Sequence, residues 1–144
     1  MDVSEFALYG VPSHLIAATY PFVQKYLSAS TQLSDGCFTP EDILQSLKNK
    51  EMQLWVVSCK SIIHCAIITE VKQFPHQKHL NILFLGGDEM DKWIHLIEDM
   101  INRAKNNGCD AVKIYGRKGW EKALSKFGFK HSHTVLKRDL RSES

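Results

Sequence analysis

The stretch from His79 to Phe129 constrains the fold more than any other, because its apolar period changes twice. Leu80-Asn81-Ile82-Leu83-Phe84-Leu85 is a short apolar run rich in strand formers, and Gly86-Gly87 are expected to break it. From Met90 the apolar residues recur at helical steps: Met90, Trp93, Ile94, Ile97, Met100, Ile101 and Ala104. Asp88, Glu89 and Asp91 stand at the start of that helix and Arg103 and Lys105 at its end, the charge order a helix dipole favours. Asn107-Gly108 supply a left-handed stop. Ala111-Val112-Lys113-Ile114-Tyr115 is the next strand, followed by a short helix with Trp120, Ala123, Leu124 and Phe127 as its apolar positions. Strand, crossover helix and strand make a parallel pair, and ligands in such units sit at the carboxyl end of the first strand.

The rest of the chain supplies partners for that unit. A strand at Phe6 to Tyr9 is followed by Ser13 as a helix N-cap and by Leu15, Ile16, Thr19, Phe22, Val23, Tyr26 and Leu27 at helical spacing. Pro21 lies inside this pattern and is expected to kink or divide the helix. Thr39-Pro40-Glu41-Asp42 opens a second helix, with a capping Thr, Pro at the first helical position and a carboxylate three residues after the cap. Ile43, Leu44 and Leu47 give its buried face. Leu54 to Cys59, a polar turn at Lys60-Ser61, and Ile62 to Val71 read as a hairpin, which His79 to Leu85 extends into a meander. Phe129 to Leu140 reads as a last strand.

With 144 residues, 44% hydrophobic and 24% charged, the chain has the composition of one ordinary globular domain, able to bury a core without metal or disulfide staples. The net charge is +2 and no dense Lys/Arg block appears, so a nucleic-acid surface is not indicated. Cys37, Cys59, Cys65 and Cys109 show no metal-ligand spacing, and reduced core thiols are the default reading. His131-x-His133 puts two imidazoles on one strand face with no third ligand nearby, so no metal site is read. Asp2 and Glu5 replace the basic start of a signal peptide, and no segment has the length of a membrane span. A soluble, cytoplasmic protein is expected.

The order of elements resembles the GNAT-type N-acetyltransferases over about Ser13 to Leu140. The most specific piece is Gly116-Arg117-Lys118-Gly119-Trp120 leading to Leu124-Ser125-Lys126-Phe127-Gly128-Phe129, since many members end a short helix with Lys-x-Gly-Phe. Gln53-Leu54-Trp55-Val56-Val57, Gly86-Gly87 followed by Trp93, Ala104-Lys105-x-x-Gly108-Cys109 and Gly116-Arg117-x-Gly119-Trp120 together are similar, more narrowly, to the small GNAT-like proteins of tailed bacteriophages. The resemblance implies one GNAT-like α/β domain over 1–144, with a mixed sheet: an antiparallel N-terminal meander and a parallel β-α-β unit. It also implies acetyl-CoA between the strands ending at Leu85 and starting at Ala111. Leu83, Phe84, Leu85, Gly86, Gly87 and Lys92 would line it on one side. Arg117 would lie near the pantetheine arm, with Trp120 in a position that is small in ordinary members.

The family's pyrophosphate loop, patterned Gln/Arg-x-x-Gly-x-Gly/Ala, corresponds here to Leu85-Gly86-Gly87-Asp88-Glu89-Met90-Asp91-Lys92. It keeps glycine but lacks the Arg/Gln, and three carboxylates stand where a phosphate would. Two like unit charges about 4 Å apart repel by about 4 kcal/mol at an effective dielectric near 20, and a fraction of that weakens binding about tenfold. The same acids also read simply as helix-start residues. The position that carries the acidic Tyr in active members is Leu124; Tyr115 is the substitute, although a Tyr at a strand end is commonly a packing residue. The general base would be a carboxylate or His on the central strands, with Glu70 and His79 the candidates. Two functions follow. One is acetyl-CoA-dependent acylation of a small-molecule or protein amine. The other is a catalytically silent GNAT-fold protein that binds a protein partner, in phage assembly, in a virion or as an inhibitor of a host protein. The oligomeric state is open, a homodimer included.

Overall fold

The computed structural model describes residues 5–31, 38–115 and 120–141. The sheet begins from a hairpin. β2 (Gln53–Cys59) and β3 (Ile62–Gln73) are joined at Lys60 and Ser61, whose φ angles of 52° and 66° put both in the left-handed region. Two such residues give the turn whose twist matches that of the flanking strands. β1 (Ala7–Gly10) lies antiparallel on β2, and β4 (Lys78–Gly87) antiparallel on β3. β5 (Ala111–Ile114) then joins β4 in parallel, from His79 opposite Ala111 to Ile82 opposite Ile114. The five strands lie in the order β1-β2-β3-β4-β5.

Gly86-Gly87 do not break β4 as expected; they continue it, opposite Ala66 and Cys65. The reason is close approach. A Cβ on Gly87 would collide with the His64 carbonyl oxygen and come within 2.8 Å of the Cys65 Cα. Only a residue without a side chain lets the two strands meet there.

Helices cover both faces. On one side α1 (Ile16–Thr31) and α2 (Pro40–Lys48) bury Ile16, Val23, Leu27, Ile43 and Leu47 against Leu54, Val56, Ala66, Ile68 and Phe84. Each such side chain contributes roughly 1.5–3 kcal/mol when fully buried. The capping box of α2 is formed as expected: Asp42 N–H donates to Thr39 Oγ1 at 3.2 Å and Thr39 N–H to Asp42 Oδ2 at 2.8 Å. α1 departs from expectation twice. Ser13 opens a 3₁₀ turn, Ser13–Leu15, without capping it, and Pro21 sits within one undivided helix. Phe22 is exposed and Tyr20 buried, its hydroxyl bonded to the Pro40 carbonyl.

On the other side the crossover is not one helix but three pieces: α3 (Met90–Trp93), a 3₁₀ turn (Ile94–Leu96) and α4 (Ile97–Asn106). Trp93 Nε1–H donates to the Asp88 carbonyl at 2.6 Å, which anchors the ring beneath the loop. The tighter winding then lets the adjacent Trp93 and Ile94 both bury, with Ile97, Met100 and Ala104 following at helical spacing. α5 (Trp120–Ser125) adds Leu124 to this core. No described helix is long and apolar enough to cross a membrane.

The last strand is the plain miss. Residues 129–139 form neither strand nor helix and do not join the sheet, a bend and a turn follow at 140 and 141, and Val135, Leu136 and Leu140 are largely exposed. Val135 and Leu136 are adjacent, and charges follow at Lys137 and Arg138, so no single face is consistently apolar. Cys37 and the segment 116–119, Arg117 included, lie outside the described residues.

Candidate functional site

Two features open the sheet between β4 and β5. Ile68 faces Phe84 while Thr69 faces Ile82, so Leu83 is an extra residue, a bulge in β4. The parallel ladder ends at Ile82 and Ile114, with one more bond from Tyr115 N–H to the Ile82 carbonyl at 3.2 Å. β4 runs on to Gly87 bonded to β3 alone among the described residues. From Leu83 onward, therefore, Leu83, Phe84 and Leu85 have a backbone edge facing the gap beside β5. Such an edge suits a ligand that carries its own amides.

Beneath the bulge lies a polar floor. Pairing sets Glu70, Asn81 and Lys113 side by side on the sheet face that also carries Ile68 and Phe84, with His79 next along β4. Asn81 Nδ2 approaches Glu70 Oε1 at 3.4 Å, and His79 Nε2 lies 2.7 Å from Gln77 Oε1. The Phe74 ring packs between His79, at 5.0 Å between centroids, and the Lys113 ammonium, at 5.2 Å. His79 and Asn81 are 9% and 4% exposed, and His79 Nδ1 and Asn81 Oδ1 are buried with no hydrogen-bond partner. A buried unpaired acceptor costs about 1–3 kcal/mol. Both atoms call for a partner, an ordered water or a bound group.

The acidic loop is tied up internally. Asp88 Oδ1 lies 2.8 Å from His64 Nδ1, and Glu89 Oε2 lies 3.4 Å from the same nitrogen. The Tyr26 hydroxyl has two acceptors in reach of its one proton, Asp88 Oδ2 at 3.1 Å and the Ile63 carbonyl at 3.0 Å. Lys92 Nζ bonds Glu89 at 2.7 Å, which raises the lysine's pKa. Burial would raise the Asp88 carboxyl, but the hydrogen bonds from His64 and Tyr26 and the charges of His64 and Lys25 together hold it below the usual value. Burial, reinforced by Asp88, pushes the Tyr26 hydroxyl up to about 12. Glu89 itself is left-handed, φ 53°, and Asp88 N–H is spent on the His64 carbonyl at 2.9 Å. His64, Asp88 and Glu89 offer one ligand atom each within 4.8 Å, a set of the right size for a divalent ion, although Lys92 already brings a cation to it.

An acyl-CoA therefore meets two different surfaces. The gap beside Leu83 to Leu85 offers a backbone edge to an amide-bearing arm. The loop does not fit its pyrophosphate: the carboxylates stand there, Gly87 is committed to packing on β3, and Lys92 is held by Glu89.

Of the residues singled out in the sequence, Glu70 and His79 lie on paired strands on one sheet face, Glu70 opposite Asn81 and His79 two residues before Asn81. Tyr115 leaves the end of β5 more than half exposed. Trp120, half-buried, and Leu124, 1% exposed, pack on the core under α4. Leu124 is a packing residue here. Sequence reasoning missed Tyr26, His64 and Asn81. Asn81 carried a signal, as the one polar residue within an apolar strand. The Tyr26–Asp88 link spans too much chain to leave a local one.

No protein-family model and no curated protein matches the sequence. Among solved structures the chain is similar to a predicted acetyltransferase from Clostridium acetobutylicum determined with acetyl-CoA: 13% identity, 96% of this chain, 98% of that one, TM-score 0.64. It is similar to an aminoglycoside acetyltransferase from an uncultured soil metagenomic sample in complex with sisomicin: 14% identity, 93% of this chain, 98% of that one, TM-score 0.63. It is similar also to a GCN5-related N-acetyltransferase from Ralstonia eutropha JMP134: 10% identity, 93% of this chain, 98% of that one, TM-score 0.65. At these identities what is shared is the fold, and the fold is that of the GNAT acetyltransferases, with its mixed sheet and parallel β4–β5 pair.

Proposed function

We propose that the protein is an N-acyltransferase that takes an acyl group from a CoA thioester lying against Leu83, Phe84 and Leu85 and passes it to an amine held over Glu70, His79 and Asn81. The observation that carries this reading is the pair of buried polar atoms without a protein partner, His79 Nδ1 and Asn81 Oδ1, four and two residues before the Leu83 bulge where β4 and β5 part. A primary amine brings N–H donors to both, and the Glu70 carboxylate favours its charged form on arrival. With Nε2–H donated to Gln77, His79 keeps a lone pair on Nδ1 and would take one proton from the ammonium before attack, freeing the lone pair that reaches the thioester carbon; the nitrogen's second proton, shed as the amide forms, replaces the one given to the thiolate. Tyr115, at the mouth of the gap, returns a proton to the departing thiolate in place of the buried Leu124. The structure determined with acetyl-CoA supports the choice of donor, and the sisomicin complex supports an amine as acceptor.

A second reading is favoured by the acidic loop: a GNAT fold that serves as a binding protein, its cofactor cleft closed by Asp88 and Glu89. The likeness of the sequence segments to small phage proteins belongs with this reading. Calorimetry with acetyl-CoA, on the native protein, on Asp88→Ala/Asp91→Ala and on His79→Gln, separates the two. Weak but measurable binding by the native protein, tightened in the loop variant, with acetylation of a polyamine or aminoglycoside that His79→Gln lowers about a hundredfold or more, is the expected result. Binding by the loop variant alone would overturn it in favour of the binding protein.

A further inference from the structure

Three donor atoms from two separate stretches of chain meet where β4 ends. Gly87 pairs with Cys65, and the next residue along, Asp88, gives its N–H to the His64 carbonyl, so the loop is pinned beside the His64 ring. His64 Nδ1 lies 2.8 Å from Asp88 Oδ1 and 3.4 Å from Glu89 Oε2, and the three atoms fall within 4.8 Å of one another. Donors bound to one tetrahedral ion at about 2.0–2.2 Å stand about 3.3–3.6 Å apart. Side-chain adjustment alone brings this set to that spacing.

The trio is not satisfied by hydrogen bonds within itself. Two carboxylates converge on one ring nitrogen, which has at most one proton to give. A single dication satisfies all three donors at once. The other oxygen of each carboxylate is already held: Asp88 Oδ2 by the Tyr26 hydroxyl at 3.1 Å and Glu89 Oε1 by Lys92 Nζ at 2.7 Å. Outer partners of this kind orient the ligands of a metal, and Lys92 takes the oxygen that the trio does not use. The His64 side chain is 13% exposed, with the Phe6 ring packed on it, whereas the carboxylates are open to solvent. The set is therefore closed on the protein side and accessible on the other.

We propose that His64 Nδ1, Asp88 Oδ1 and Glu89 Oε2 hold one divalent transition-metal ion, and that a pyrophosphate oxygen of the acyl-CoA takes its open position. Three protein ligands leave a tetrahedral ion one place for a further ligand. An imidazole beside two carboxylates suits Zn²⁺ better than Mg²⁺. The neutral ring ligates with its proton moved from Nδ1 to Nε2, so none is lost. The ion's two charges cancel those of Asp88 and Glu89, and a loop that repels phosphate becomes one that attracts it. The second half of the proposal rests on the acyltransferase reading; the ion site does not.

Calorimetry with Zn²⁺ alone, on chelator-stripped native protein, His64→Gln and Glu89→Gln, tests the site. The native protein is expected to take up one ion, and each variant to weaken that uptake at least about tenfold with its circular dichroism unchanged. Glu89→Gln, on a solvent-exposed side chain, covers the case in which His64→Gln fails to fold. Acetyl-CoA is then titrated with and without one equivalent of Zn²⁺. The ion should tighten its binding at least about tenfold in the native protein, not in the variants, and should leave S-acetylpantetheine, which has no phosphate, unaffected. Zn²⁺ taken up equally by all three proteins belongs to other groups of the chain and overturns the proposal. So does acetyl-CoA that binds but ignores the ion. The acyltransferase reading fails differently, with acetyl-CoA bound neither by the native protein and its ion nor by Asp88→Ala/Asp91→Ala; Zn²⁺ uptake lost in His64→Gln would then support the ion site by itself.

Discussion

At the scale of residues, the loop that begins at Asp88 shows how one carboxylate can serve two incompatible ends. Its bonds to His64 and Tyr26 hold its pKa below the ordinary value of about 3.9. A folded value lower than the unfolded one adds stability above the ordinary carboxylate range, and that stability is lost as pH falls through the folded value. Asp88→Asn is therefore expected to lower the melting temperature at about pH 7 by a small amount, at most about 1 kcal/mol because the side chain is 55% exposed. The gap between variant and native melts should close as pH falls from about 5 towards 2; a constant gap would mean that Asp88 acts without its charge. The sequence made Asp88, Glu89 and Asp91 legible as charges at odds with a phosphate. It hid their neutralisation, because His64 is on β3 and Tyr26 on α1. That Glu70 and His79 lie on paired neighbouring strands was legible for the opposite reason: strand pairing is local in a meander.

At the scale of elements, the sequence revealed best what short-range chemistry decides. The Thr39 capping box, the hairpin at Lys60-Ser61 and the stop at Gly108, φ 82°, all formed where their residues predict. What it hid was decided by tertiary contact: the crossover broke at Trp93 because the indole found the Asp88 carbonyl, and Gly86-Gly87 stayed in the strand because β3 lay close. The run 129–141 did not become a strand because its adjacent apolar residues Val135 and Leu136, followed by charges, share no face. The hairpin is also where the chain is under strain, since a left-handed conformation costs a residue with a side chain roughly 1–2 kcal/mol. Lys60→Asn together with Ser61→Gly suits the same turn and should stabilise the protein by about 1 kcal/mol or more, read as a shift in denaturation midpoint. A loss would show that Lys60, 3.4 Å from Glu5, matters more through its charge than through its backbone.

At the scale of the whole molecule, two cores share one sheet: α1 and α2 close one face over β2 to β4, and α4 and α5 the other. The meander joins neighbours in sequence, whereas the β4–β5 ladder waits until the entire crossover has been threaded and packed. Closing so long a loop costs entropy before the four-pair ladder returns anything. β5 and α5 should therefore be the last unit to dock during folding and the first to detach in the native state. Native-state hydrogen exchange should show Val112 to Ile114 exchanging through a partial opening, with a weak dependence on denaturant, while the amides shared by β2 and β3 exchange only on global unfolding. Equal exchange energies in the two groups would mean a single cooperative unit. A seam that comes apart on its own gives the cleft a way to admit an occupant too large for its mouth, while the meander that carries Glu70 and His79 never loses its shape.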